Sequence, residues 1–341
     1  MKIGVVGYQG SGKSTLFSLL THTPADPALA HATQSAMAPI PDPRFDGLVA
    51  TIQPKKRVQA ALEIVDTPGL SRTHEGSGQR LAMIKEAGCL ALVVGAFGGG
   101  DPRRDAVTFE DDALLADLEI VSGRVERLRE SVKKPRNREQ DQAELDALTP
   151  LLATLEDGKP LTGLALSDEQ KRYIRAFQLI TGKPRVIVVN TDDDEADPQR
   201  FVHALGGDHP VFAGPLRMQW ELAQMPPEER AEFEQEMGGQ SCDLAELIRT
   251  LMDASGQMLF FTASEKEVRT WLIPKGATAL MAADSIHSDL ARGFIRAETM
   301  RCDDMIELGG EKQVKAAGKM RQEPKDYVVQ EGDVLHIRFN V

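Results

Sequence analysis

A glycine-rich segment near the start of the chain constrains the fold more than any other feature. Residues 7–14 read Gly-Tyr-Gln-Gly-Ser-Gly-Lys-Ser and fit the pattern G-x-x-x-x-G-K-[ST]. An apolar strand pattern precedes them, and apolar residues at helical spacing follow them. In this setting the glycines let successive backbone N–H groups surround an anion, and the helix points the positive end of its dipole at it. The segment therefore predicts a phosphate-binding loop (P-loop) rather than an ordinary strand-to-helix connection.

The residues of this loop have separate predicted roles. Lys13 is predicted to reach the outer phosphates and to act in catalysis, and the Ser14 hydroxyl is predicted to coordinate Mg²⁺. The predicted nucleotide-binding residues of the segment are Gly7, Gln9, Gly10, Ser11, Gly12, Lys13, Ser14 and Thr15. The expected ligand is a nucleoside triphosphate, ATP or GTP, with its magnesium ion.

A second motif follows a strand pattern at residues 58–65. The chain there reads DTPGL from Asp66 to Leu70. In P-loop proteins an aspartate at the end of a neighbouring strand holds the magnesium ion, and a glycine three residues later can donate its N–H to the terminal phosphate. Asp66 is therefore predicted to ligate the metal together with Ser14, and Gly69 is predicted to act in catalysis. The pair of motifs favours a switch-type nucleoside triphosphatase over a small-molecule kinase, which needs no such glycine.

Leu70 occupies the position where Ras-like proteins keep a glutamine that orients the attacking water. A leucine cannot hold a water molecule by hydrogen bonding. The expected result is slow intrinsic hydrolysis or a catalytic group supplied from elsewhere. If a histidine takes part, His74 is the available candidate, and an exposed loop residue is the simpler interpretation of it.

A third motif, after an apolar strand pattern at residues 186–189, concerns the base of the nucleotide. It reads NTDD from Asn190 to Asp193, whereas guanine-specific proteins carry Asn-Lys-x-Asp. A carboxylate in the fourth position accepts hydrogen bonds from the two N–H donors of guanine, which adenine does not match. Asn190 and Asp193 are thus candidates for base binding. Because Thr191 replaces the lysine and acidic runs are also typical of solvated loops and helix caps, the choice between ATP and GTP stays open.

The middle of the chain has the periodicity of a helical hairpin. Apolar residues step by four and three over residues 114–132, which is typical of a coiled coil, and they recur at helical spacing over residues 145–155. The short break at residues 135–137 predicts two antiparallel helices. The first apolar set is Leu114, Leu118, Val121, Val125, Leu128 and Val132. Because nucleotide motifs flank this region, we expect it to interrupt the nucleotide-binding domain.

Composition indicates a reducing, aqueous compartment. With 341 residues, of which 41% are hydrophobic, the chain can bury the cores of two or three domains. Its 3 cysteines are far apart and have neither a metal-ligand spacing nor an even disulfide framework. No signal sequence opens the chain, and the longest apolar run, residues 89–97, has the length of a strand. A cytoplasmic protein with no membrane contact and no disulfide partner is therefore expected.

Charge is distributed unevenly along the chain. The formal net charge is -12, yet acidic and basic residues balance from residue 266 to residue 341. In that segment Lys312, Lys315 and Lys319 are spaced three and four residues apart, which predicts one basic helix face. Such a face could bind RNA phosphates, and it is equally typical of a solvated helix. Short apolar runs separated by glycines in the same segment predict a small mixed sheet with a helix across it.

Together these motifs resemble those of the Obg-like ATPase family (YchF), which are ribosome-associated P-loop triphosphatases, over nearly the whole chain. The matching stretches include residues 12–17, 41–44, 228–233, 266–269, 293–298, 317–321 and 338–341. The resemblance implies an α/β fold: a Ras-like P-loop NTPase domain, an inserted coiled-coil hairpin and a C-terminal β-grasp domain of the ubiquitin-like TGS type. The implied boundaries are 1–110 with 183–265 for the Obg-type G domain, 111–182 for the hairpin and 266–341 for the TGS domain.

The resemblance also implies a function. The chain would be a nucleoside triphosphatase that slowly hydrolyses ATP or GTP with Mg²⁺. It would couple its nucleotide state to the ribosome or RNA, bound through the TGS and helical domains. The alternative is a nucleotide-gated ribosome- or RNA-binding module in which hydrolysis is incidental.

The same comparison adds one site residue and several departures. Thr33, in a first switch that looks shortened, is a candidate catalytic residue and a candidate ligand of the magnesium ion or γ-phosphate. The chain departs from the family in the P-loop at residues 9–11 and in the second motif at residues 67–68, which suggests a divergent branch. Asp193 stands where the family tends to carry glutamate, so an ATP preference does not simply carry over.

Overall fold

The structure, a computed structural model, describes residues 1–29, 32–71, 77–134, 138–226, 228–230 and 241–340. Contacts divide the chain into two compact units: Met1–Ala36 with Glu63–Leu247, and Met37–Leu62 with Ile248–Val341. Each unit is thus built from two separate stretches of sequence. The domain boundaries given above stay a prediction.

The first sheet of the described residues has six strands in the order β2-β4-β1-β5-β6-β7. Its strands are β1 (Lys2–Val6), β2 (Gln34–Pro39), β4 (Ala61–Asp66), β5 (Cys89–Gly95), β6 (Arg185–Asn190) and β7 (Val211–Gly214), whereas β3 (Lys56–Val58) belongs to a second sheet. Strands β4, β1, β5, β6 and β7 pair in parallel. Their carboxyl ends therefore share one edge, which is where open α/β sheets bind ligands.

The helices of the first unit pack on this sheet or on one another, and the central strands are buried. In chain order they are α1 (Lys13–Thr21), α3 (Ser77–Ile84), α4 (Pro102–Ser131), α5 (Arg138–Glu156), α6 (Asp168–Ile174), α7 (Gln199–Leu205) and α8 (Leu216–Ala223), while α2 (Pro43–Ile52) lies in the second unit. Every residue of β5 and β6 is buried, as expected for parallel strands covered on both faces. One apolar cluster joins Ile84 of α3 and Phe109 of α4 to Val94 and Val189 of these strands. The predicted α/β class is confirmed.

Helices α4 and α5 pack on each other as an antiparallel hairpin. Their shared apolar cluster includes Val121, Val125, Leu128, Leu148, Leu152 and Leu155. Arg124 of α4 donates two hydrogen bonds to Glu144 of α5, at 2.7 and 2.6 Å. Helix α4 ends at Ser131, so Val132, which the periodicity includes in the apolar set, is the C-cap residue.

A buried carboxylate fixes the segment that returns from the hairpin to the sheet. Asp117 of α4 is fully buried and accepts hydrogen bonds from the backbone N–H groups of Ile180 and Thr181, at 2.9 and 2.7 Å, and from the Thr181 hydroxyl at 2.7 Å. Burial raises the pKa of Asp117, and these donors oppose the rise. Because the anchored segment leads into β6, Asp117 helps to place Asn190 at the end of that strand.

The second unit is built on a mixed sheet, again of six strands within the described residues, in the order β11-β10-β12-β8-β9-β3. Its further strands are β8 (Gln257–Ala263), β9 (Glu267–Pro274), β10 (Phe294–Arg301), β11 (Arg321–Glu323) and β12 (Asp333–Phe339). Its helices after α2 are α10 (Ala279–Ile286), α11 (Ser288–Arg292), α12 (Cys302–Leu308) and α13 (Glu311–Ala316), and α9 (Leu244–Ala254) carries the division between the units. Ala279, Ala282 and Ala283 of α10 are buried against the sheet, as the predicted arrangement requires.

The strand expected at residues 58–65 is confirmed from Ala61 onward as β4, but Val58 belongs to a separate strand. The structure has two strands there, β3 and β4, and they belong to different sheets. Strand β3 pairs in parallel with β9, from Lys56 opposite Glu267 to Val58 opposite Arg269. The alternation of apolar residues continues through both strands, so the sequence pattern contains no sign of the break.

Residues 41–44, one of the stretches that carries the family resemblance, form a clasp within the second unit. Asp42 caps α2 by accepting the Arg44 backbone N–H at 2.9 Å. The Arg44 guanidinium pairs with Asp42 at 2.6 Å and with Glu331 at 2.5 Å, and it lies over the ring of Phe261. The other Glu331 oxygen accepts the Leu259 backbone N–H. The clasp thus joins α2 to β8 and to the turn before β12.

The single basic helix face predicted in the C-terminal segment is wrong. Helix α13 ends at Ala316, and Gly318 has a left-handed backbone with φ +70°. Lys319 therefore lies beyond the helix, where it donates to Asp304 at 2.5 Å. Lys312 and Lys315 are exposed on α13 itself. The helix ends before Lys319 because Gly318 adopts a turn conformation, although the three lysines are spaced as on one helix.

Two compositional expectations can be compared with the described residues. Cys89, Cys242 and Cys302 are all described, and each is a buried free thiol. Burial raises the pKa of each thiol to about 12. Among the described residues, no helix combines the length and the apolar content that crossing a bilayer requires.

Candidate nucleotide-binding site

The segment between β1 and α1 has the backbone of a phosphate-binding loop. Gly7 and Gly12 have φ values of +143° and +100°, which favour glycine strongly over other residues. A Cβ atom would lie 2.3 Å from the Val93 carbonyl oxygen at Gly7 and 2.3 Å from the Asn190 Nδ2 atom at Gly12. Both glycines are therefore required by the close approach of neighbouring strands.

Lys13 and Ser14 begin α1 at this loop. The Lys13 side chain is buried, and its ammonium group donates to the Tyr8 carbonyl oxygen at 2.8 Å. Ser14 donates its hydroxyl to Asp66 Oδ2 at 2.7 Å. Thr15 follows in the first turn and is half-buried. The predicted phosphate-binding and metal-binding residues thus lie together at the carboxyl ends of β1 and β4.

Asp66 has an environment that suits a ligand of a cation. It is 5% exposed, and, among the described residues, its Oδ1 atom has no hydrogen-bond partner. Burial raises the pKa of Asp66, whereas the Ser14 hydroxyl and the charge of Lys13 lower it. A buried oxygen without a partner next to a serine hydroxyl fits a hard divalent cation such as Mg²⁺.

Gly69 lies against the phosphate-binding loop. A Cβ atom there would lie 2.9 Å from both the Lys13 Nζ atom and the Gln9 Cα atom. The next residue, Leu70, donates its N–H to the Gly7 carbonyl and accepts the Gln9 N–H, each at 3.0 Å. The carbonyl oxygen of Gly69 also accepts a hydrogen bond from Arg80 at 2.8 Å. The two motifs are therefore held together by backbone hydrogen bonds.

The Leu70 side chain points away from the loop into the core. It is fully buried in the apolar cluster that includes Val6, Leu81 and Val94. The side chain therefore cannot reach a water molecule at the phosphate end. Leu70 is thus unable to orient the attacking water because of its position as well as because it has no hydrogen-bonding group.

Leu70→Gln is expected to destabilise the protein without accelerating hydrolysis. A glutamine in this core would lose apolar burial and leave amide groups without partners, lowering the free energy of unfolding by about 2–4 kcal/mol. Chemical denaturation and phosphate release, measured on the same sample, report both effects. Leu70→Met serves as the control, because it keeps the volume and polarity of the side chain. Faster hydrolysis by a glutamine variant of unchanged stability would contradict this placement.

Asn190 connects the third motif to the P-loop. Its Nδ2 atom donates to the Ser11 carbonyl oxygen at 3.2 Å, and its Oδ1 atom accepts the Leu216 N–H at 3.1 Å. The side chain is buried. Asn190 thus braces the loop from the end of β6, a contact that the local sequence pattern does not reveal. Its predicted contact with a base stays a prediction.

Asn190→Ala is expected to lower both stability and nucleotide affinity. The substitution leaves the buried Leu216 N–H without its acceptor and releases Ser11, which together cost about 2–3 kcal/mol of unfolding free energy. Thermal melting and nucleotide titration measure the two effects. Asp194→Ala, in the exposed loop after β6, is the control and is expected to change stability by less than about 0.5 kcal/mol.

The remaining predicted site residues lie in exposed positions. Asp193 is exposed in the loop after β6. Thr33 is exposed and lines a cavity of about 200 Å³ with Lys2 and Glu63. The side chain that reaches Asp66 is that of the neighbouring Gln34, which donates to Oδ2 at 3.4 Å. The roles predicted for Thr33 and Asp193 stay predictions.

Two contacts of the site had no signal in the sequence, and one candidate cannot be placed. Gln34 carries no motif that would mark it as a partner of Asp66. Tyr8 lies within the variable part of the loop pattern, yet its hydroxyl donates to the buried Asp112 carboxylate of α4 at 2.9 Å. His74 lies outside the described residues.

Two family models match the chain. Residues 2–122 match MMR_HSR1, described as 50S ribosome-binding GTPase, and residues 258–340 match YchF-GTPase_C, described as a protein of unknown function. The first match covers the P-loop and the Asp66 motif on their parallel sheet. This fold and site define a P-loop nucleoside triphosphatase with a Ras-like domain.

Relatives of full length narrow this class to a family. The chain is 35% identical to the Ribosome-binding ATPase YchF of Bacillus subtilis (strain 168), over 99% of each chain. The chain therefore belongs to the YchF (Obg-like ATPase) family. It is also 36% identical to Obg-like ATPase 1 of Oryza sativa subsp. japonica, over 100% of this chain and 92% of that protein. Its fold is similar to that of the Schizosaccharomyces pombe YchF GTPase, with a TM-score of 0.83, 25% identity and coverage of 99% of this chain and 97% of that one.

Proposed function

We propose that this chain is a magnesium-dependent nucleoside triphosphatase whose nucleotide state controls its binding to the ribosome. The observation that carries the proposal is the pair formed by Ser14 and Asp66, at 2.7 Å, with the second Asp66 oxygen buried and without a partner among the described residues. This arrangement of a serine and a carboxylate beside a glycine-rich loop fits the binding of a triphosphate with its cation. It fits a purely structural hydrogen bond less well.

In the proposed mechanism the backbone N–H groups of residues 7–14 and the Lys13 ammonium group bind the phosphates. Ser14 and Asp66 would hold Mg²⁺, which would supply positive charge to offset the negative charge of the phosphates. Thr33 is proposed as a further ligand from the first switch. Gly69 would donate its N–H to the γ-phosphate. Water then attacks in line with the leaving diphosphate, and the protein contributes positioning and charge stabilisation.

The proposed partner is the ribosome. The relatives from Bacillus subtilis and Escherichia coli O157:H7 are both named Ribosome-binding ATPase YchF. Lys312 and Lys315, exposed on α13 of the C-terminal unit, would supply contacts to RNA phosphates. We assign the C-terminal part to a TGS domain and the protein to the cytoplasm, which agrees with the mixed sheet and with the free buried cysteines.

The base is tested by parallel titration with labelled ATP and GTP in the presence of Mg²⁺. Asp193 is expected to favour guanine, because its carboxylate can accept both edge donors of that base. Asp193→Asn removes the charge while keeping the size and is expected to reduce any preference for GTP. Tight ATP binding without GTP binding would overturn the role of Asp193, and binding of neither would overturn the proposed function.

A second function, a nucleotide-gated binding module in which hydrolysis is incidental, is favoured by the burial of Leu70. Ribosome co-sedimentation separates the two. Pelleting with a non-hydrolysable triphosphate is compared with pelleting with the diphosphate and without nucleotide. If pelleting depends on nucleotide and turnover stays slow with ribosomes present, the gated module is supported. If ribosomes accelerate turnover, the coupled triphosphatase is supported. Identical pelleting in every nucleotide state would contradict both.

A further inference from the structure

A cavity of about 560 Å³ adjoins the outer side of the P-loop within the first unit. One wall consists of P-loop residues 8–11, and the opposite wall consists of the loop after β5 and the first turn of α4. The cavity thus opens beside the loop that we propose holds the triphosphate, and neither the Asp66 motif nor the Asn190 motif lines it.

Arg104 is the one basic side chain among the described residues that line this cavity. It is exposed, and within the described chain its guanidinium has no ion-pair partner. The other charged residues of the lining are Asp101 and Asp105, which carry negative charge. Two carboxylates would repel an anionic ligand in this cavity. Arg104 lies on the same wall and would supply the positive charge that offsets this repulsion.

The position of Arg104 is fixed by its helix rather than by an ion pair. Asp101 caps α4 and accepts the Arg104 backbone N–H at 3.0 Å. One turn later, Phe109 is fully buried in the core, and farther along the helix Asp117 anchors the segment that leads into β6. The backbone of Arg104 is therefore held in place while its long side chain stays free to move.

The loop before α4 leaves space for an approach to the phosphates. Gly98 and Gly99 have φ values of +58° and +81°, and a Cβ atom at either position would meet no atom within 4 Å. Glycines at these two positions place no side chain in the open space beside this part of the wall. Arg104 thus shares the lining of one cavity with Gln9 and Gly10 of the P-loop.

We propose that Arg104 is a catalytic residue of the triphosphatase, an arginine finger supplied by the chain itself. This inference rests on the proposed function. The Arg104 guanidinium would donate hydrogen bonds to the γ-phosphate oxygens as charge develops on them, taking over transition-state stabilisation where Leu70 cannot position water. The water oxygen forms a bond to the γ-phosphorus as the bond to the leaving diphosphate oxygen breaks. The products are the diphosphate, inorganic phosphate and a proton released to solvent, and Arg104 stays protonated throughout.

The test uses Arg104→Ala and Arg104→Lys in the full-length protein, with Arg103→Ala as the matched control. Arg103 is the exposed neighbour on the same turn of α4, and it is not among the residues that line the cavity. Single-turnover phosphate release, the Kd of the magnesium nucleotide and formation of the complex with diphosphate and aluminium fluoride, which mimics the transition state, are measured for each variant.

Arg104→Ala is expected to slow phosphate release roughly a hundredfold or more while changing the nucleotide Kd less than about threefold, and to lose the aluminium fluoride complex. Arg104→Lys is expected to recover part of the rate, because it keeps the charge without the planar fork. Arg103→Ala should match the wild type. The inference is overturned if wild-type protein hydrolyses nucleotide and Arg104→Ala hydrolyses it as fast as Arg103→Ala. If the wild type neither binds nor hydrolyses nucleotide, it is the proposed function that fails.

Discussion

Lys13→Ala is expected to weaken triphosphate binding by two or more orders of magnitude and to abolish measurable turnover. The Lys13 ammonium group is buried and donates to the Tyr8 carbonyl oxygen, at the centre of the loop that would surround the phosphates. Removing one partner of a charge pair in so desolvated a site costs about 2–5 kcal/mol of binding free energy. Titration with a fluorescent triphosphate and phosphate release measure the two losses.

The control for this variant is Lys159→Ala, which removes an exposed lysine from the same unit. Both variants are expected to melt close to the wild type, because the buried Lys13 ammonium group is costly to desolvate and this cost offsets the hydrogen bond that it donates to the Tyr8 carbonyl oxygen. Unchanged affinity and turnover in Lys13→Ala would remove the role proposed for the P-loop.

Asp66→Asn is expected to lower the rate of hydrolysis in the presence of Mg²⁺ roughly a hundredfold or more. The rate of the variant should then no longer depend on Mg²⁺. The asparagine oxygen can still accept the Ser14 hydroxyl, so the variant loses the charge while keeping the contact. Removing Mg²⁺ from the wild type with a chelator should lower its rate to that of the variant. Glu63→Gln, on the same strand, is the control for loss of a carboxylate.

Stability without metal distinguishes a metal-binding carboxylate from a structural one. Burial raises the pKa of Asp66, so the ionised side chain is an unfavourable group in the folded protein when no cation is bound. The neutral asparagine should therefore melt at the same temperature as the wild type or higher when Mg²⁺ is absent. Added Mg²⁺ with nucleotide should raise the melting temperature of the wild type alone. A variant that melts far below the wild type without metal would contradict the metal site.

The core of the candidate site could be predicted from sequence because its parts are encoded locally. The P-loop needs consecutive glycines, a lysine and a serine between a strand and a helix, and all of these appear in one run of residues. Asp66 follows a strand pattern at a fixed distance from Gly69. Parallel pairing of β1 with β4 then brings the two motifs together, as it does at the edge of any such sheet.

The contacts that were not predicted join residues far apart in the chain. Asn190 reaches Ser11, and Asp117 reaches Thr181, through hydrogen bonds that no local pattern encodes. The burial of Leu70 depends on where the chain turns after β4. Comparison with Ras-like proteins shows only that this position lacks their glutamine.

The two errors in the predicted secondary structure also arise because local patterns do not encode distant contacts or backbone conformation. Alternation of apolar residues is the same for one strand as for two strands in different sheets, so the pattern does not separate Val58 of β3 from β4. A spacing of three and four between lysines describes a helix face only while the helix lasts, and Gly318 follows the end of α13. Pairing partners and glycine conformations decided both cases.

The placement of residues 37–62 in the second unit has a consequence for biosynthesis. Strand β3 leaves the ribosome early, but its partner β9 and the rest of that sheet are made about 200 residues later. During translation the β3 edge must therefore wait unpaired while the intervening chain emerges, exposed to chaperones or to mispairing. The second unit is completed only after β12 has emerged, and a fragment beginning at α9 would lack α2 and β3 and leave the outer edge of β9 without its partner strand.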